Sequence, residues 1–387
     1  MIKKLRKAKK YNKILRDIRP SPYLVIFSGR IASMQKDNGS WFDDPFLTAS
    51  ALRALHECSK IFPDMSFKDC IRAGKRYLEN ELERLSEEIL TSEDIYLNLD
   101  ENARTLSLLI LVLSTVAKSK FNKDVLQAFE KLEKEVTKYR KSLGDVEIIS
   151  QVVKCHCIKG FGKPPSELVE FLLEKLLLSD DLTLKLAILE SIFYIKEKYE
   201  KLLENAWSKI SPKHGLDDKD FWEHLQNIAI KLLENLENND IKAEALYYGN
   251  LIAKQLDANS LGIWTLTLKK AENLFSKVYS EDDEYFLYEF SLIAESLAIS
   301  PFGKAMFINA ENLPEVDKAI RWYEEKKRNN IIMLSKRKYN ATIFFTLANF
   351  SAFIFLLVLW LTNDLKAAII SGAIPICVSL VVSLLVK

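Results

Sequence analysis

The stretch NARTLSLLILVLSTVA at 102–117, followed by KDVLQAFEKLEKEVTKYRK at 123–141, decides the fold class of this chain. The first segment is apolar nearly all the way round a helix, and such a helix must be covered on every side. The second is amphipathic and charged, its apolar residues recurring at three- and four-residue spacing with Lys and Glu between them. That period predicts a helix with one wet face. One greasy helix beside one half-wet helix cannot bury itself and needs neighbours of the same kind.

The sequence supplies them in both directions. Segments 48–59 and 67–85 form such a pair, as do 146–159 with 166–178 and 182–196 with 199–210. Further along, 241–254 pairs with 266–279 and 284–298 with 316–328, while 221–236 stands as an extra helix. About six helical hairpins at a spacing of roughly 35–50 residues predict an all-α protein built as an array. Alternating buried and half-buried helices describe either a curved solenoid or a closed two-layer ring, and the pattern alone does not choose.

A loop motif bears on that choice. Gln35-Lys36-Asp37-Asn38-Gly39-Ser40-Trp41 is followed by Phe46-Leu47-Thr48-Ala49 at the start of the first greasy helix. This resembles the Gln-x-x-x-Gly-x-Trp motif of squalene and oxidosqualene cyclases and the related repeat of protein prenyltransferases. Gln255 with Gly262-Ile263-Trp264 looks like a degenerate second copy. The resemblance covers 30–85 by motif and about 30–330 by helix rhythm. It implies an α/α toroid, a ring of inner helices inside a ring of outer ones. It also implies a structural role for the motif: the Gln amide bonds backbone at a helix end, the Trp ring packs over it, and the Gly permits a tight turn.

The catalytic signatures of those families are not found. There is no Asp-x-Asp-Asp run to protonate an alkene. Asp43-Asp44 and Asp217-Asp218 both lack the third carboxylate that an Asp-Asp-x-x-Asp magnesium site requires. Cys155-His156-Cys157 points consecutive helical side chains 100° apart, so they cannot converge on one zinc ion. His214, Asp218 and His224 are the densest remaining metal candidates, with a solvated loop and helix start as the plainer reading. No phosphate-cradling glycine loop and no Ser or Cys nucleophile motif occurs. The expectation is therefore no cofactor. Asp43 and Asp44 remain the candidate catalytic residues, and Trp41, Phe42, Asn102 and Arg104 the candidate ligand-binding residues at the mouth of a ring. Helix caps and loop charges are the plainer reading of all of these.

The ends of the chain differ from its middle. Segments 341–362 and 367–386 are apolar runs separated by Asn363-Asp364-Leu365-Lys366. Each is long enough to cross a hydrocarbon core of about 30 Å as a helix. They predict a C-terminal transmembrane hairpin. Residues 1–19 carry nine Lys or Arg against Asp17, and 326–338 carry six with no acid. With +8 and +6 there, and +1 beyond, the total of +2 leaves −13 for residues 20–325. An acidic body between two basic clusters suits ends that face anionic lipid headgroups better than it suits a nucleic-acid surface. The cations ahead of the first span put the body and both termini on the cytoplasmic side. Tyr23-Leu24-Val25-Ile26-Phe27 is too short for the apolar core of a secretory signal.

The organisation expected is a basic arm at 1–19, a toroid-like domain at 20–325, a basic segment at 326–338 and a transmembrane hairpin at 339–387. The function expected is a membrane-anchored, non-catalytic binding or scaffold protein holding an apolar or isoprenoid ligand or a partner protein. The alternatives are an enzyme on a prenyl lipid and a membrane effector with a sensing helical domain.

Overall fold

Among its described residues, the computed structural model is helical and contains no strand. Those residues are 23–61, 67–92, 94, 96–143, 145–216, 221–236, 241–256, 261–275 and 284–300. The chain divides into two units, Met1–Ile320 and Arg321–Lys387. The second unit, with the expected transmembrane hairpin, and the basic clusters at 1–19 and 326–338 lie outside the described residues. No helix among the described residues is long and apolar enough to cross a membrane.

Among the described residues twelve α-helices follow one another: α1 Tyr23–Ser33, α2 Pro45–Ile61, α3 Lys68–Thr91, α4 Leu99–Val116, α5 Lys123–Tyr139, α6 Val146–Cys155, α7 Ser166–Leu178, α8 Leu182–Ile210, α9 Phe221–Asn235, α10 Ala243–Gln255, α11 Leu261–Phe275 and α12 Glu284–Ile299. Side-chain caps start several of them. Asn122 accepts from the Val125 amide, Asp145 from Glu147, and Asp181 from Thr183 and Leu184. Each such cap satisfies an amide that the helix itself leaves unpaired.

Two elements differ from the sequence expectation. The segments 182–196 and 199–210 are one continuous helix, bent at Tyr199 (φ −131°, ψ 31°). The Tyr199 hydroxyl lies 2.8 Å from the carbonyl oxygen of His156 and 2.5 Å from that of Gly162. This anchor to the α6–α7 connection lets the helix turn without ending. The short apolar stretch at Tyr23 is the start of α1, whose Phe27 ring stacks on Phe290 of α12 at 5.2 Å. Eleven residues between a basic arm and a polar loop show too little period to be read as a helix, and packing supplies the rest.

The even-numbered helices are the greasy ones, and their neighbours follow a cyclic order. α2 packs on α4, α4 on α6, α6 on α8, α8 on α10, α10 on α12, and α12 returns to α2. The odd-numbered helices cover them. α3 lies against α2 and α4, α7 against α6 and α8, α9 against α8 and α10, and α11 against α10 and α12. α5 covers α4 and touches α3, and α1 bridges α2, α12 and α11. The half-wet expectation holds for α5, which buries Val125, Ala128, Phe129, Leu132 and Val136 and buries none of its Lys or Glu fully. In α4 the Leu106, Leu109, Ile110 and Leu113 side chains are fully buried.

Candidate functional site

Two polar regions stand out, and the sequence pointed to most of the first but little of the second. The loop between α1 and α2 holds Gln35, Gly39 and Trp41. The Gln35 side-chain amide donates to the carbonyls of Gly39 and Cys70, both at 2.9 Å. Gly39 has a φ of +93°, and a Cβ there would lie 2.4 Å from the Ala73 carbonyl oxygen of α3. Only glycine permits both the turn and that approach. Trp41 is 0% exposed, its indole N–H donates to the Ile31 carbonyl at 2.6 Å, and its ring sits against Gly74. This candidate ligand-binding residue is a core residue, with its polar atom already used.

Asp43 and Asp44 are likewise committed to the loop. The Asp43 carboxylate accepts from Lys36 at 2.5 Å, Asn38 at 2.8 Å and Ser40 at 2.9 Å. These hydrogen bonds, Lys36 first, bring its pKa down to about 2. An acid that strong offers no proton near neutral pH. Asp44 caps α2, accepting from the Leu47 amide at 2.8 Å with Pro45 at the first helical position. Phe42 is half-buried with φ 59°, so the loop crosses the left-handed region at Phe42 and again at Asp43 (φ 60°).

The metal candidates do not come together. Asp218 lies outside the described residues. His214 sits in a short 3-10 turn, Ser211–His214, and the His224 ring packs on Trp207 at 5.3 Å. His156 Nδ1 lies 2.6 Å from the Phe161 carbonyl, while the Cys155 thiol points at the Ser107 carbonyl. Among the described residues no group of His, Cys, Asp and Glu has the arrangement of a metal site.

The second region is enclosed by the even-numbered helices. Arg53 of α2 donates to Glu295 of α12 at 2.6 Å, and its guanidinium lies 4.6 Å from the ring centroid of Tyr247 on α10. The Tyr247 hydroxyl donates to the same Glu295 at 3.3 Å. Lys154 of α6 pairs with Glu190 of α8 at 2.7 Å. Arg104 of α4 pairs with Asp145, the cap of α6, at 2.6 Å. The Tyr248 hydroxyl reaches from α10 to Glu147 of α6. The rings of Phe46 of α2 and Tyr288 of α12 pack at a tilt, centroids 5.2 Å apart. Each of the six helices in the cyclic order thus contributes a charged or phenolic group.

Burial is the leading influence on these groups. It pushes the carboxyls of Glu147 and Glu295 up, and it raises the phenols of Tyr247, Tyr248 and Tyr288. Burial works against the Arg53 charge too, yet the adjacent Glu295 outweighs it and holds the guanidinium ionised. At the same time Arg53 keeps 22% of its side chain accessible and Arg104 44%, while Glu147 and Tyr288 are half-buried. Arg53, Glu147 and Tyr288 are thus surrounded by protein yet still touched by water, as groups lining a recess are. Ion pairs in such a place are retained at a desolvation cost that a hydrophobic core would avoid.

Of the residues singled out from sequence, Arg104 belongs to this recess, and Asn102 lies half-buried half a turn from it on α4. Arg53, Glu147, Lys154, Glu190, Tyr247, Tyr248 and Glu295 were missed. A signal was present: Arg53, Lys154 and Glu190 are each the ninth residue of their helix, counted from Pro45, Val146 and Leu182. Each is a charge between uncharged neighbours, as is Glu295. A charge at matching depth in successive buried helices marks a shared interior. No family profile, curated protein or solved structure matches this chain.

Proposed function

We propose that this chain is a membrane-tethered binding protein with an α/α toroid whose interior receives a ligand or a segment of a partner. The resemblance of Gln35, Gly39 and Trp41 to the terpenoid-cyclase and prenyltransferase motif supports the toroid. The cyclic packing order of α2, α4, α6, α8, α10 and α12 supports it independently and carries the reading. An interior whose charged groups remain in contact with water is suited to binding, because their hydration can be exchanged for contacts with a guest. The tether rests on the hydropathy of 341–362 and 367–386, and the basic clusters favour anionic headgroups beside it.

An apolar or isoprenoid guest suits this interior less well than its greasy helices suggested. Arg53, Lys154, Glu147, Glu190 and Glu295 would lose water to such a molecule and gain no partner. A ligand with a polar head matches them better. A second reading, an enzyme, is favoured by one observation: Glu147 is an enclosed carboxyl of raised pKa hydrogen-bonded to Tyr248, a pairing able to move a proton.

The test is to purify the full chain from membranes and identify, by mass spectrometry after denaturing extraction, what it carries. A small molecule held in stoichiometric amount by the wild type, and lost from Arg53→Met, is the expected result. Release of the full chain from membranes by alkaline carbonate would remove the tether. Turnover of a prenyl diphosphate that depends on Glu147 would promote the enzyme.

A further inference from the structure

We propose that the recess takes a small organic cation bearing N–H donors, a protonated amine or guanidinium, with Glu147 and Gln151 as its acceptors. This rests on the reading of the interior as a binding recess and names the chemistry of its ligand. Three positive groups line the region, and each has its own carboxylate: Arg53 has Glu295, Lys154 has Glu190 and Arg104 has Asp145. Glu147 belongs to none of these pairs. Its close partners are neutral donors, the Tyr248 hydroxyl and, at 3.5 Å, the Gln151 amide nitrogen. Glu244 of α10, also outside the three pairs, acts with Glu147 on Tyr288, so the region carries more negative groups than its pairs cancel.

Gln151 adds an independent observation. It is only 8% exposed, its nitrogen faces Glu147, and its carbonyl oxygen has no hydrogen-bond partner among the described residues. A buried acceptor without a donor is costly unless something else supplies the donor. One turn of α6 therefore carries a carboxylate and an enclosed amide oxygen that has no donor among the described residues. Exchanging the two ends of the amide would put its oxygen against the carboxylate, so the assigned orientation is the favourable one while Glu147 is ionised.

The surroundings suit a cation as well as a donor. Tyr248 and Tyr288 lie near Glu147, and phenol rings attract cations over their faces. Burial disfavours the lone carboxylate, against the hydrogen bond from Tyr248 and the more distant charges of Lys154 and Arg104. A bound ammonium would restore what burial removes, since an opposite charge within a few ångströms favours the ionised form. An anionic ligand, by contrast, would meet Glu147 directly and would have to break the existing pairs to reach a cation. A quaternary ammonium would meet the rings but leave both acceptors without donors.

The experiment uses the full chain in detergent, with agmatine, putrescine and choline as probes in calorimetry at fixed ionic strength. Agmatine and putrescine are expected to bind saturably, and choline, which has no N–H on its nitrogen, at least tenfold more weakly. Glu147→Gln should weaken amine binding at least tenfold, and Gln151→Met several-fold, with melting curves reporting that each variant is folded. If Glu147→Gln fails to fold, Gln151→Met decides. Absence of amine binding to the wild type, or equal binding by wild type and folded variants, overturns the proposal. The broader binding reading survives that result if extraction of the same preparation releases a non-cationic molecule. It falls as well if nothing is released and no probe binds.

Discussion

The loop at 35–44 and the recess between the even-numbered helices are both polar islands in an apolar protein, and they settle their polarity in opposite ways. In the loop, partners are close at hand and half of them backbone: two carbonyls for Gln35, one for Trp41, three neighbouring side-chain donors for Asp43. In the recess, partners come from other helices, as when Arg53 reaches Glu295 across 242 positions of sequence. One helical turn from Arg104, Glu147 and Glu295, the hydroxyls of Ser107, Ser150 and Ser291 are buried without a partner among the described residues. Polar groups completed locally make a joint. Polar groups completed only by long-range contact, and then incompletely, are a standing cost that a bound molecule can relieve.

The strongest way to break that comparison is to attack the joint. Trp41→Ala should lower stability by about 3–5 kcal/mol, because it empties a fully buried ring site and orphans the Ile31 carbonyl. Denaturant unfolding measures it. An unchanged midpoint together with lost ligand binding would make the loop a site and not a joint.

The ion pair of the recess should show a smaller effect with a different signature. Arg53→Met leaves Glu295 enclosed without its cation and should cost about 3 kcal/mol. Adding Glu295→Met should recover part of the loss, since removing both charges also removes their desolvation cost. A double variant as unstable as the worse of the single ones would mean that the pair is a net stabiliser, and would sharpen the contrast in the other direction.

The smallest effects, and the most diagnostic, concern pH. The Asp43 pKa falls from 3.8 to about 2, chiefly through its hydrogen bond from Lys36. Its contribution to stability is therefore present above about pH 4 and disappears as pH falls toward 2. Glu147 moves the other way, raised from 4.5 by burial against Tyr248 on α10, Lys154 on α6 and Arg104 on α4, with Asp145 adding to the rise. Its folded form holds the proton longer than the unfolded chain does, so stability declines as pH rises from about 4.5 through the raised value. Relative to wild type, Glu147→Gln should gain melting temperature as pH rises across that window, while Asp43→Asn should lose it between pH 2 and 4. Thermal unfolding across pH 2–8 reads both. Slopes of the same sign would erase the distinction between the two regions.

Part of this site could be read in advance. Arg104 was named because it opens a greasy helix beside acidic residues, and it does lie at the recess. Asp43 and Asp44 were named because two carboxylates beside Trp41 and Phe42 look like a mouth. Their oxygens are in fact occupied by donors a few residues away, which only a folded loop reveals. Arg53, Lys154, Glu190 and Glu295 were passed over because a single charge in an apolar helix reads as its one wet position. Here that position meets a partner charge on a neighbouring helix, as Arg53 meets Glu295 and Lys154 meets Glu190.

By itself the sequence determined that the protein is helical, where most of its helices run, and which are covered on all sides. Those are matters of residue period, caps and breakers within a dozen positions, and local physics decides them. The loop from Gln35 to Trp41 belongs to the same category, because most of its hydrogen bonds close within ten residues. Tertiary structure alone decided that α12 returns to α2, that 182–210 continues through a bend at Tyr199, and that charges from six helices share one interior. The physical reason is range. A buried charge is tolerable only beside its partner, and here the partners are separated by whole helices, so only the packing of those helices determines which charges meet.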